Sequence, residues 1–174
     1  RTHITFDYSQ IDDEDLIEEE DVVISLTHLG YVKRQPTDTF KSQKRGGRGI
    51  SGLSTRQEDF VEELFVTSTH NYIMFFTNKG RVFKLKTYQI PEAGRTAKGT
   101  AIVNLLSLEP GEQISATIAL RNFDDDKYLF MATKNGVIKK TPLGEYDSNR
   151  SGGLKAIELD DDDELIRVKI VEDE

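Results

Sequence analysis

Residues 42–52 read SQKRGGRGISG, with Lys44, Arg45 and Arg48 set among four glycines. Cationic side chains on a backbone free of bulk suit one kind of chemistry, the cradling of phosphate or carboxylate oxygens. Glycine there permits tight turns or close backbone approach. Three arrangements present such a stretch: a solvated surface loop, a disordered arginine–glycine segment of the kind that meets RNA, or an ordered clamp on a polyanion.

No other grouping of reactive residues competes with it. Cysteine is absent, so disulfides and thiolate metal sites are excluded. His3, His28 and His70 are scattered, with no second ligand at metal spacing. Asp160 to Asp163 lacks the glycine and distal glutamate of a calcium loop and reads as a solvated hairpin turn. No glycine-rich phosphate loop precedes a helix. The expectation is therefore no catalytic residue, no metal and no cofactor within this chain. No apolar run reaches the roughly 20 residues of a membrane helix, and residues 1–10 lack a signal-peptide core. The chain reads as a soluble, cytoplasmic piece of a longer protein, since it opens on arginine.

A net charge of −8 argues against a polyanionic partner only if the charge is evenly spread. It is not: residues 1–20 carry −7, 31–56 carry +6, 57–64 carry −4 and 78–98 carry +5. Residues 109–126 then carry −4, 127–155 carry +4 and 156–174 carry −7. A sign that alternates with a structural period can be sorted onto separate faces.

That period is an internal repeat. VVISLTHLGYVKRQ, YIMFFTNKGRVFKLK and YLFMATKNGVIKKT align on Gly30, Gly80 and Gly136, which also brings Thr27, Thr77 and Thr133 into register. Each is an apolar, β-rich run, a polar turn and a second run, the pattern of a hairpin. Asn135-Gly136 is the most favourable turn pair, since both residues tolerate positive φ. Each copy continues with an aromatic (Phe40, Tyr88, Tyr146) and a Gly/Arg loop (QKRGGRG, GRTAKGT, NRSGGLK). A short apolar strand follows, near 50–53, 101–105 and 155–159, and then an acidic turn and a last strand. Four strands in each of three copies, with a period near 50 residues, predict an all-β, propeller-like array. The expected division is an acidic linker over 1–20 and blades over 21–70, 71–122 and 123–174. Three blades fall short of a closed ring, so this half-ring is expected to leave a sheet face or strand edge open to self-association.

Basic residues recur at matched positions. Arg34, Lys84 and Lys140 lie four residues after the aligned glycines, with Lys33, Arg81, Lys86 and Lys139 nearby. Lys41, Arg95, Lys98, Arg150 and Lys155 join them in and around the Gly/Arg loops. Any single lysine of this kind usually does no more than solvate a strand edge. Their coincidence in three copies predicts a basic rim suited to a bent duplex, read through its backbone rather than its bases. Phe75, Phe76, Phe83 and Phe130 fall within the strands and are expected in the core.

Gln43, Lys44, Arg45, Gly46, Gly47, Arg48 and Gly49 closely resemble the seven-residue box of the DNA gyrase A C-terminal domain. The departure is Lys44, where that family has arginine. EDLIEEEDVVISLTHLGYVKR, FFTNKGRVFKLK, IVNLLSLE and FMATKNGVIKKT resemble the same family in the same order. The resemblance implies a six-bladed β-pinwheel with strands exchanged between neighbours, of which this chain would hold three blades. It implies a non-catalytic module that wraps double-stranded DNA and steers strand passage towards negative supercoiling. It further implies a bacterial, nucleoid-associated parent enzyme, a heterotetramer with gyrase B and a second copy of gyrase A, using ATP and Mg on other domains or on gyrase B. The corresponding A component of topoisomerase IV, with a degenerate box, is the nearer alternative. A β-propeller scaffold for an acidic protein and an RNA-binding Gly/Arg segment are the more distant ones.

Overall fold

The computed structural model describes residues 13–38, 59–124, 126–147 and 153–172. Among the described residues, eleven strands form three antiparallel sheets. The first repeat contributes β1 (Asp21–Thr27), β2 (Tyr31–Pro36) and β3 (Val61–Ser68). From the second come β4 (Tyr72–Thr77), β5 (Arg81–Lys86), β6 (Thr100–Ala101) and β7 (Ile114–Leu120). The third supplies β8 (Lys127–Thr133), β9 (Ile138–Pro142), β10 (Leu154–Lys155) and β11 (Leu165–Glu172).

The aligned Thr and Gly build the same turn three times. In each, the glycine N–H donates to the threonine carbonyl at 3.0 Å. The threonine Oγ1 accepts from the N–H four residues on, at 3.1 Å from Tyr31, 3.3 Å from Arg81 and 3.0 Å from Val137. Gly30, Gly80 and Gly136 have φ of 95°, 83° and 93°, and no described non-glycine residue has positive φ. Asn135 therefore does not share the left-handed region with Gly136. A hairpin loop closed this way places its one left-handed residue at the end, where glycine carries no Cβ penalty.

Sheet membership does not follow repeat membership. The strand orders are β3-β1-β2-β6, β10-β5-β4-β7 and β11-β8-β9. Short β6, from the second repeat, pairs with β2 of the first through Tyr31↔Ala101 and Val32↔Thr100. β10 likewise pairs with β5 through Leu154↔Val82 and Lys155↔Arg81. Each joint is continued by one more equivalent bond: Ile102 N–H to Gly30 O, and Ala156 N–H to Gly80 O, both at 2.7 Å. The segment expected as a strand over 101–105 is thus a two-residue strand followed by a 3-10 turn, Ile102–Asn104. Among the described residues β9 carries no strand on its outer edge.

Two apolar clusters glue the sheets. Val22, Ile24 and Leu26 of β1 meet Ile73, Phe75 and Phe83, while Met74 and Phe76 meet Leu129, Met131 and Leu165. β4 is buried on both faces, which explains why YIMFFT is continuously apolar rather than alternating. Phe75, Phe76 and Phe83 lie in the core as expected, but Phe130 is 38% exposed. Phe130 is on the β8 face opposite Met131, where no further described sheet packs. Leu64 and Val66 of β3 are similarly exposed at the other end of the array.

The acidic lead-in is attached over its last residues. Glu18 O accepts from the Thr69 hydroxyl at 2.8 Å, and the Glu20 and Thr69 backbones bond at 2.9 Å. Glu19 adds an ion pair to Arg121 at 3.3 Å.

Candidate nucleic-acid interface

The matched cations divide sharply by what the neighbouring repeat places over them. Lys33, on β2, is 4% exposed. Its ammonium donates to the carbonyls of Gly94, Arg95 and Ala97 at 2.9, 3.2 and 3.0 Å. An ammonium has three donors, so all are used, and burial holds its pKa below the usual lysine value. Arg34 turns to the segment after β5: Nε donates to Ile90 O at 2.7 Å and Nη2 to Tyr88 O at 3.5 Å.

Lys84, the Arg34 equivalent in the second repeat, faces the third repeat. Its ammonium lies 3.5 Å from the Asp147 carboxylate and over the rings of Phe123 and Tyr72, at 4.7 and 5.0 Å. Lys86 donates to His70 O at 2.9 Å and covers Tyr72 at 4.1 Å. Arg81 forms a two-pronged pair with Glu112, at 3.0 and 2.8 Å, and a third bond to Ser107 O at 2.9 Å. Five cations expected on an open rim, Lys33, Arg34, Arg81, Lys84 and Lys86, are therefore bound to protein. Lys33 is the most buried of the five.

Of the remaining described cations named from the sequence, all but half-buried Lys98 are exposed. Arg95 is exposed, and Lys98 lies 4.7 Å from the Tyr31 ring in the same loop. Lys139 and Lys140 are exposed on β9, with Lys139 reaching Ala156 O at 3.2 Å and Lys140 lying 4.5 Å from the Tyr128 ring. Lys155, also exposed, pairs with Glu158 at 3.3 Å. Pairs this exposed exchange readily with solvent and are worth little. The box residues Gln43 to Gly49, together with Lys41 and Arg150, lie outside the described residues.

Acidic turns perform a structural role that sequence reasoning missed. Asp59 Oδ1 accepts from the N–H groups of Leu29 and Phe60, both at 2.9 Å. Asp163 Oδ1 accepts from Asn135 and Glu164 at 2.9 and 2.8 Å. Asp163 is 7% exposed rather than solvated. Burial raises its pKa, but bonds from Thr133, Asn135 and Glu164 and the charge of Lys134 outweigh this and hold it below the ordinary value. In the second repeat Glu112 serves the same turn through the Thr77 hydroxyl at 2.6 Å. The recurrence of an acid just before each last strand was the available signal.

Among the described residues no three His, Cys, Asp or Glu side chains are grouped so as to hold a metal ion. His28 Nδ1 lies 2.7 Å from Glu62 and its ring stacks on Phe60 at 4.7 Å, while His70 Nε2 meets Ile17 O at 2.8 Å.

Three similar sheets joined by exchanged strands, with outward cations on the joining loops, define a propeller-like β-pinwheel array. Solved domains share it: the C-terminal domain of a DNA topoisomerase IV superposes with a TM-score of 0.75 at 26% identity, over 88% of this chain and 46% of that one. A DNA gyrase A C-terminal domain gives 0.64 at 22% identity, over 88% and 48%. The three sheets thus correspond to about half of such a domain. The family model described as "DNA gyrase C-terminal domain, beta-propeller" matches residues 21–68, 71–121 and 127–172, and the chain belongs to that family. The DNA gyrase A protein of Clostridium acetobutylicum is 61% identical over 162 residues, 93% of this chain and 20% of the relative. That of Mycobacterium tuberculosis is 49% identical over 166 residues, 95% of this chain and 20% of the relative. The chain spans about a fifth of the length of these relatives.

Proposed function

We propose that this chain is a non-catalytic module that binds and bends duplex DNA around its basic loops, biasing strand passage by a type II topoisomerase towards negative supercoiling. The observation that carries this reading is the recurrence of exposed cations in the repeats: Arg95, with half-buried Lys98 in the same loop, Lys139 and Lys140 on β9, and Lys155 on β10. Family membership supports it. The box, Gln43 to Gly49, is its most concentrated basic element. Each repeat (21–70, 71–122 and 123–174) acts as one station along the DNA, after an acidic lead-in over 1–20. Cleavage of DNA and use of ATP and Mg belong to other parts of a cytoplasmic, nucleoid-associated assembly containing gyrase B and a second copy of gyrase A.

The mechanism is electrostatic. Each phosphate neutralised releases condensed counterions, so log K falls against log salt by about 0.9 per contact. Replacing Lys44, Arg45 and Arg48 by alanine in the full-length protein is expected to abolish wrapping and supercoiling while DNA cleavage persists. Supercoiling retained by that variant would overturn the role of the box. Titration of duplex DNA, single-stranded RNA and an acidic peptide at two salt concentrations tests the class of partner. Duplex preference with a steep salt slope is expected, and preference for either other ligand contradicts it.

A further inference from the structure

The Gly94–Thr100 loop carries exposed Arg95 and half-buried Lys98, yet it is fastened to a sheet of another repeat. Its carbonyls at Gly94, Arg95 and Ala97 converge on the Lys33 ammonium. Its far end is set by Gly99, at φ +100°, where a Cβ would come within 2.5 Å of Val32 O and 2.9 Å of Lys33 Cβ. The chain then enters β6 and pairs with β2. Turning three carbonyl dipoles inward leaves Arg95 exposed and Lys98 resting on the ring of Tyr31.

We infer that Lys33 is a positioning residue for phosphate binding: it shapes the Gly94–Thr100 loop so that Arg95 and Lys98 are held out towards a DNA backbone it never touches itself. The inference rests on the DNA-binding reading above. Lys33 cannot be the contact, since its three donors are spent and carbonyl oxygens surround it, an environment that repels phosphate. A lysine suits this task because a compact ammonium satisfies three converging carbonyls. The corresponding position in the second repeat is Phe83, whose ring lies 2.8 Å from where a Gly153 Cβ would stand. There the next repeat is held by packing instead. In the third repeat it is Lys139, which is exposed. The polar anchor is thus particular to the junction that carries Arg95 and Lys98.

The test is a mutant cycle read by fluorescence anisotropy on a labelled random-sequence duplex across a salt series. It compares K33M, the pair R95A/K98A, and the three changes together. K33M is expected to lower the salt slope by as much as the pair does, about 1.8 for two phosphates. Adding it to the pair should then cost no further affinity, because residues acting through one loop are not additive. A further loss in the triple variant would make Lys33 an independent contact, and an unchanged slope in K33M would reduce it to packing. Either result overturns the inference. If K33M fails to fold by circular dichroism, G99A dislodges the same loop and carries the same comparison. A parent chain that does not bind the duplex overturns the DNA-binding reading itself, and this inference with it.

Discussion

Arg81 grips Glu112 through two bonds, at 3.0 and 2.8 Å, and the Glu112 side chain is completely buried. Glu112 also accepts from the Thr77 hydroxyl and from its own loop at Glu109 N–H. Burial pushes its pKa up, but the bonds from Arg81, Glu109 and Thr77 prevail and hold it down at about 2, against an ordinary 4.5. A pKa lowered on folding adds stability that is fully present above pH 4.5 and is lost as pH falls towards 2. Glu112→Gln is expected to destabilise the chain by on the order of 3 kcal/mol at neutral pH. It should also flatten the acid limb between those values, as read by urea melts at a series of pH. Equal acid sensitivity in both proteins would show that the pair does not control this limb.

Gly80 and Gly136 occupy the same turn with nearly the same φ, but their surroundings differ. A Cβ on Gly80 would lie 2.6 Å from Ile157 O, whereas one on Gly136 meets nothing within 4 Å. Gly136→Ala should cost only the left-handed backbone penalty, about 1–2 kcal/mol. Gly80→Ala should cost clearly more, because it also pushes the third repeat off the β5 edge. Thermal melts of the two variants check the order, and equal losses would contradict docking at that edge.

Arg34 and Lys140 are matched in sequence and opposed in role. Arg34 supplies donors to Ile90 O and Tyr88 O across a repeat boundary, while Lys140 is exposed. Arg34→Ala is expected to lower stability by about 1–3 kcal/mol, through lost charge-assisted bonds and carbonyls left unpaired. Lys140→Ala should stay within about 0.5 kcal/mol and instead weaken DNA binding. The reverse pattern would show that the structural and surface cations have been exchanged.

These contrasts explain how much was legible beforehand. The Thr–Gly register announced the turns, and apolar, β-rich runs on either side announced the hairpins, because both depend on contacts a few residues apart. Exchange of β6 and β10 was implied by the family resemblance alone, since a two-residue strand has no periodicity and pairs with a partner some 70 residues earlier. Lys33 and Lys139 carry the same letter at the same position. One is buried and one exposed because only the first has a loop from the next repeat over it. The same distinction separates Arg34 from Lys140, so repetition located the cations but not their partners. Asp163 shows the converse case: an acidic run read as solvated holds one carboxylate that is committed to closing a turn.

Bending of a duplex by outward cations on successive sheets would leave its mark on DNA topology. The decisive quantity is the linking number of a closed circular DNA, relaxed by a nicking-closing enzyme in the presence of increasing amounts of the full-length protein. A shift of one consistent sign is predicted, growing with protein and disappearing as salt rises. R95A/K98A should diminish that shift, and the Lys44, Arg45, Arg48 triple alanine variant should abolish it. Tight duplex binding with no change of linking number would contradict bending by these cations.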